Sequence, residues 1–215
     1  MTSLPQEDSS IRLPPECEPA LLERFLKAEA MALWAVRAAQ LQQVPPHVLR
    51  FLRKHEEDEE THLKQFESLL KHASHQRDRL PIVPRQWPAL AVQLYGYESL
   101  GLEFATLLST LRPDLASILE DEETHVGFFE HEIGKLLHGD AAAANQATVS
   151  ARAWWRKLPK TLDRYLDGPA LAPFKGRLRP FILAAIEQRF VKAGLLESAG
   201  GQTGNGHHTE MEGRP

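Results

Sequence analysis

The pentapeptide Asp58-Glu59-Glu60-Thr61-His62 occurs a second time, 63 residues later, as Asp121-Glu122-Glu123-Thr124-His125. The match runs past the five letters: Phe66 and Glu67 correspond to Phe129 and Glu130, and Leu70 to Ile133. Each copy is a Glu-x-x-His step within a stretch of helical period. On a helix, three residues turn a side chain by about −60° and raise it by about 4.5 Å, so carboxylate and imidazole share one face. A chain that makes this step twice needs two helices, and each must find a use for a face that is neither apolar nor merely solvated.

The helices can be read in order. From about Glu18 to Gln42, Leu22, Phe25, Leu26, Leu33 and Val36 recur at helical spacing, and Glu29 sits inside that apolar stripe. A buried, unpaired carboxylate is costly, so Glu29 needs a partner. Val44-Pro45-Pro46 breaks the helix. A second helix is expected from about His47 to His72, with Val48, Phe51, His55, Glu59, His62, Phe66 and Leu69 as its inward stripe. Glu57 and Glu60 read as its solvated side. Residues equidistant from a helical turn lie opposite one another, and Glu29 and Glu59 have their midpoint at Val44. They are expected to face each other.

Residues 73–88 contain three prolines and no helical period. A structureless loop of that length is uncommon in a compact domain. Sixteen extended residues reach about 50 Å, enough to run the length of a helix of about 25 residues. A third helix is expected from about Ala89 to Thr110, with Glu98 and Glu103 as competing inward carboxylates. Glu98 is preferred: its same-face neighbours Leu94, Tyr95, Gly101, Leu102 and Ala105 are the more apolar set, and the Glu98–Glu122 midpoint, Thr110, falls near the next turn. The fourth helix starts after Arg112-Pro113-Asp114, carries the second pentapeptide and ends near Gly139.

The expected architecture is all-α: a four-helix bundle over 18–138, with a long connection between its second and third helices and two extra C-terminal helices in an extension over 139–197. Residues 140–150 read as a linker or frayed helix. The polar, Pro-containing 1–17 read as a flexible arm, and 198–215 as a disordered tail in which His207-His208 is a solvated pair.

Bulk properties narrow the function. A net charge of −4 in 215 residues argues against a nucleic-acid binder. The single cysteine, Cys17, excludes an intrachain disulfide and a Cys-x-x-Cys metal module. The N-terminus has no basic–apolar signal pattern, and no uncharged run approaches the roughly 20 residues of a spanning helix, so a cytoplasmic location is expected.

Glu29, Glu59, His62, Glu98, Glu122 and His125 thus form a set of four carboxylates and two imidazoles, suited to two iron or manganese ions and able to balance two divalent charges. Asp58 and Asp121, four residues before the two histidines on nearly the same face, are expected to accept the imidazole N–H groups and fix their tautomers; a solvated helix face is the alternative. Two Glu-x-x-His steps with a glutamate from each of two further helices are the ligand pattern of the ferritin-like di-iron carboxylate superfamily, which the chain resembles over about residues 18–138.

Within that superfamily, Glu57 to Leu70 (EDEETHLKQFESLL) and the Glu98-Ser-Leu-Gly-Leu-Glu-Phe stretch resemble the demethoxyubiquinone hydroxylase family. The resemblance implies the same six metal ligands, with Glu59 and Glu122 as the bridging, catalytic pair. It also implies two iron ions as cofactor, with Mn/Fe or Mn/Mn pairs as alternatives, and an O2-dependent oxidase or monooxygenase. The substrate would be small or lipid-like, and the electrons would come from an external donor. One spacing departs from the family, whose second gap is usually the longer: Glu98 to Glu122 spans 24 residues and Glu29 to Glu59 spans 30.

Three other readings stand beside this one: a ferroxidase or iron-handling bundle, a rubrerythrin-like peroxidase, and a partner-binding bundle with a structural metal; a homodimer is compatible with each. Ala32, Gly96, Gly101 and Ala105 read either as room for substrate or as close helix packing. Tyr95, Tyr97 and Trp34 read as core residues, with electron relay as the alternative. The aromatic–basic stretch Trp154-Trp155-Arg156-Lys157, with Lys175, Arg177, Arg179 and Phe181, reads as a core or dimer contact, with a membrane surface as the less favoured alternative.

Overall fold

A computed structural model describes residues 11–74 and 78–197. Six α-helices make up the described fold: α1 (Glu18–Gln40), α2 (Pro46–Leu70), α3 (Trp87–Leu111), α4 (Ala116–His138), α5 (Ala141–Leu166) and α6 (Lys175–Lys192). Short 3-10 turns precede α1, α4 and α6. Proline starts the first three helices, with Pro19, Pro46 and Pro88 in their first two positions. There the missing N–H is not needed and the fixed φ suits a helix. α2 stops at Lys71, which takes a left-handed conformation with φ 59°.

α1 and α2 form one antiparallel hairpin, α3 and α4 the other, and α3 also packs on α1. The connection between the hairpins returns the chain to its starting level. Gln86, just before α3, bridges to Gln43 in the α1–α2 turn. The two ends of the connection therefore lie the length of α2 apart, about 37 Å at 1.5 Å per residue. At the other end Arg112 holds the α3–α4 turn against the start of α1, bonding Glu18 at 3.0 Å and Asp114 at 2.6 Å.

Burial separates the helices. α3 is buried on nearly every face and touches α1, α4, α5 and α6, as an all-round apolar helix should. α2 buries a single stripe: Val48, Leu52, His55, Glu59, His62 and Phe66. Half of that stripe is ionisable, so apolar burial alone does not account for it. Phe66 stacks on Phe25 of α1 at 5.2 Å, and Phe51 on Phe128 of α4 at 3.5 Å, closing the two ends of the polar stretch. Phe25 and Phe66, both fully buried, each contribute roughly 1.5–3 kcal/mol.

The flanks differ from the sequence expectation in three places. Residues 141–150 are the first turns of α5, not a linker; Asp140 caps them by accepting from the Ala143 N–H at 2.9 Å, and buried Ala147 and Ala151 give the helix an inward face. Residues 11–17 are packed and not a loose arm: Ile11, Leu13 and Cys17 are buried in the core, and the Cys17 thiol donates to the Ala170 carbonyl at 3.3 Å. The C-terminal helices are continuous with the bundle's core. Trp154 of α5 stacks on Phe190 of α6 at 5.1 Å, and a Cβ added to Gly96 would lie 2.2 Å from the Trp154 ring. Gly96 is there to admit an indole, so Trp154 is a core contact, while Lys175 and Arg179 pair with Asp163. His207-His208, residues 1–10 and the 198–215 tail lie outside the described residues.

Candidate metal centre

The four bundle helices send ionisable side chains to one level. Glu29 comes from α1, His55, Glu59 and His62 from α2, Glu98 from α3, and Glu122 and His125 from α4. None is more than 3 % exposed. They form two groups of four, the ligand atoms of each lying within 4.8 Å of one another: Glu29, Glu59, His62 and Glu122 in one, His55, Glu59, Glu98 and His125 in the other. Glu59 belongs to both. All six sequence-derived candidate ligands therefore meet, and His55 is a seventh candidate that the sequence reading passed over.

His55 sits one turn before Glu59, and its Nε2 lies 2.9 Å from Glu59 Oε1 and 3.4 Å from Glu98 Oε2. Its ring lies 3.8 Å, centre to centre, from that of His125. A histidine on the inward stripe, one turn before Glu59, was the available signal. It was missed because it has no counterpart in the second copy, where the equivalent position is Ile118.

Glu103, the competing carboxylate of α3, is elsewhere: it is buried against Arg189 of α6 at 2.9 Å. Tyr95 is likewise a structural residue, stacked on Phe190 at 5.0 Å and donating its hydroxyl to Glu130 at 3.1 Å. Glu57 and Glu123 are exposed, whereas Glu60 is half-buried and paired with Arg37.

Asp58 and Asp121 do lie against imidazoles, but each against the histidine of the other copy. Asp121 accepts from His62 Nε2 at 3.0 Å, and Asp58 lies 3.5 Å from His125 Nε2. The expected pairing within one helix is replaced because α2 and α4 run side by side at this level, placing each aspartate across the seam. With Nε2 of both histidines so engaged, Nδ1 of each is turned inward, an arrangement that orients metal-ligating imidazoles.

Metal-free, the cluster is electrostatically strained. Burial pushes Glu59 well above the usual carboxylate range, reinforced by Glu29, Glu98 and Glu122. Glu122 is raised in the same way, by burial and then by Glu98 and Glu29. At Glu98 burial also works upward, but the imidazoles of His55 and His125 outweigh it and hold the carboxyl at about 2. His62 is opposed by burial yet lifted to about 9 by Glu29 and Asp121. Burial lowers His55, favouring the neutral imidazole that can ligate a metal.

The residues fit a pair of cations on an observation independent of charge. Among the described residues, Glu29 Oε2, Glu59 Oε2 and Nδ1 of His62 and His125 are buried without a hydrogen-bond partner. Unpaired buried polar atoms are costly in a native interior, and these four belong to residues of the two groups. Gly101 completes the fit: a Cβ there would stand 2.8 Å from Glu122 Oε2, so glycine makes the space in which that carboxylate sits.

A cavity of about 430 Å³ opens against the same carboxylates, lined by Glu29, Glu98 and Glu122 at its buried end. α5, outside the four-helix core, supplies its outer wall through Thr161, Arg164 and Tyr165. Of the small residues singled out in the sequence, Ala32 and Gly101 line this cavity, whereas Gly96 packs against Trp154. Comparison with known family models, curated proteins and solved structures finds no match.

Proposed function

We propose that this is a ferritin-like di-metal carboxylate oxidoreductase that uses O2 and an external electron donor to oxidise or hydroxylate a small organic substrate. Glu29, Glu59, His62, Glu122 and His55, Glu98, His125 would hold two iron ions, or a manganese-containing pair. The helix-length return between two hairpins supports this reading, since ferritin-type bundles join their second and third helices by one long crossover. Such a metal pair supplies reductive activation of O2 beside a bound C–H bond.

The chain's own residues do the rest. Asp58 and Asp121 fix the histidine tautomers across the α2–α4 seam. Phe51, Phe66, Phe128 and Phe129 keep water from the flanks of the cluster, where low dielectric strengthens every charge interaction. Glu29, Glu98 and Glu122 present one side of the centre to the cavity.

That cavity is the observation that carries the reading. A volume of about 430 Å³ lies within the range of about 300–1,000 Å³ typical of small-molecule sites. It also weighs against iron as the substrate, since Arg24 and Arg164 on its wall would repel an incoming cation. The test is metal content with O2 uptake. We expect about two metals per chain after reconstitution with ferrous iron, largely lost in Glu122→Ala, and reductant-driven O2 uptake that depends on an organic substrate. Uptake that instead tracks added ferrous iron in stoichiometric amount would favour a ferroxidase.

A further inference from the structure

The cavity beside the centre is chemically mixed. Its lining is of three kinds: the buried carboxylates Glu29, Glu98 and Glu122, the buried apolar Phe25, Leu100 and Phe104, and the less buried Arg24, Arg164, Tyr97 and Tyr165. Neither arginine is ion-paired among the described residues. Arg24 donates to the Asp167 carbonyl and Arg164 to the Thr161 hydroxyl, so both keep their charge and free N–H groups. They come from different helices, α1 and α5, yet reach the same cavity. Tyr165 packs against Phe104 at 5.6 Å, and burial pushes its phenol up, leaving it a neutral donor in the same lining.

From this arrangement we propose that the cavity binds an apolar carboxylate, its carboxylate held by Arg24 and Arg164 and its body lying across Phe25, Leu100 and Phe104 toward the metal ligands. The proposal rests on reading the buried end as a metal centre. Two divalent cations balance the four glutamates, so the two guanidiniums then set the sign of the cavity. Arginine's planar fork suits carboxylate recognition, and a cavity with low-dielectric walls strengthens it. A second cavity of about 290 Å³ shares Tyr97, Leu100 and Thr161 with the first and continues between α3 and α5 past Val92 and Leu158. It gives a longer chain somewhere to go.

The test compares octanoate, octan-1-ol and octylammonium by titration calorimetry on the metal-loaded and the chelated protein. We expect octanoate to bind at least about tenfold tighter than the alcohol, as a charge-assisted pair allows, and octylammonium not to bind. Arg24→Ala and Arg164→Ala should each weaken octanoate about tenfold and leave octan-1-ol unchanged, with Arg24→Lys in between. Melting curves identify any variant that fails to fold, and exposed Arg164 is the less disruptive of the two. Equal affinity for acid and alcohol overturns the proposal. So does octanoate binding that needs metal but ignores both arginines, because the carboxylate would then sit on the metals. If the arginine-dependent preference holds while the reconstituted wild type carries no metal, the oxidase reading fails and the anion site stands.

Discussion

The two hairpins contain the same pentapeptide in unlike surroundings. In α1–α2, the helix with the motif lies at the edge, buries one stripe and exposes Glu57 beside an Arg37–Glu56–Glu60 cluster. In α3–α4, the partner helix α3 is enclosed by α1, α4, α5 and α6. Leu52 and Leu115, then Phe66 and Phe129, are buried equivalents around the two copies. The differences lie at His55 against Ile118, and at Ala32 against Gly101, each three residues beyond its helix's glutamate. Repeated residues thus supply the common ligand set. Unrepeated neighbours decide that one of the two groups is richer in imidazole, and that open space adjoins α3 and α5.

The strongest way to break that comparison is to make the two copies alike. His55→Ile imports the residue of the second copy. It should remove about one of the two metals, measured by plasma mass spectrometry, while the fold survives because Ile118 shows the site type accepts a branched aliphatic. Full retention of both metals would mean that His55 is only packing.

A smaller effect probes the crossed aspartates. Asp121→Asn should weaken metal binding about 10–100-fold at the group containing His62, on the other hairpin, and Asp58→Asn at the group containing His125. Stepwise metal titration distinguishes the two. If each variant instead weakens the group on its own helix, the crossed pairing is wrong.

The smallest effect is a pH trend that sharpens the contrast between the acidic and imidazole-rich groups. Glu59 and Glu122 have folded-state values raised above their unfolded ones, so the metal-free protein loses stability as pH rises above about 4.5. His62, lifted to about 9, contributes stability that is complete below about 6.5 and is lost as pH rises through its folded value. Glu98, lowered, acts the opposite way only as pH falls below about 4.5. Between pH 6 and 8.5 the Tm of chelated protein should therefore fall, while metal, which competes with protons for these ligands, offsets the loss. The gap between loaded and chelated Tm should widen by about 5 °C, at roughly 2–4 °C per kcal/mol for this length. A constant gap would show that these groups do not titrate with folding.

Much of the site was legible in the chain because helical spacing is a local property. Period and proline positions located the first four helices to within a few residues. The Glu-x-x-His step put ligands on one face, and counting outward from Val44 and Thr110 paired Glu29 with Glu59 and Glu98 with Glu122. What depends on neighbours far away in sequence was not legible. Glu98 was preferred over Glu103 from its neighbours, but that Glu103 is also buried, against Arg189 of α6, was not visible. Asp58 and Asp121 were assigned to their own helices because nothing local reveals the α2–α4 seam. The alanine-rich 141–150 has strong helix propensity but little apolar pattern, and its helix is secured by the Asp140 cap and packing on the bundle.

By itself, then, the sequence determined the first four helices, the six repeated or level-matched candidate ligands and the need for a helix-length return loop. Tertiary structure alone decided that His55 joins them, that the aspartates cross, and that α5 closes a cavity with Arg24 and Arg164 on its wall. The physical reason is the same throughout. Backbone geometry fixes which residues of one helix share a face, whereas the side chains they meet depend on how separate helices pack and slide against one another.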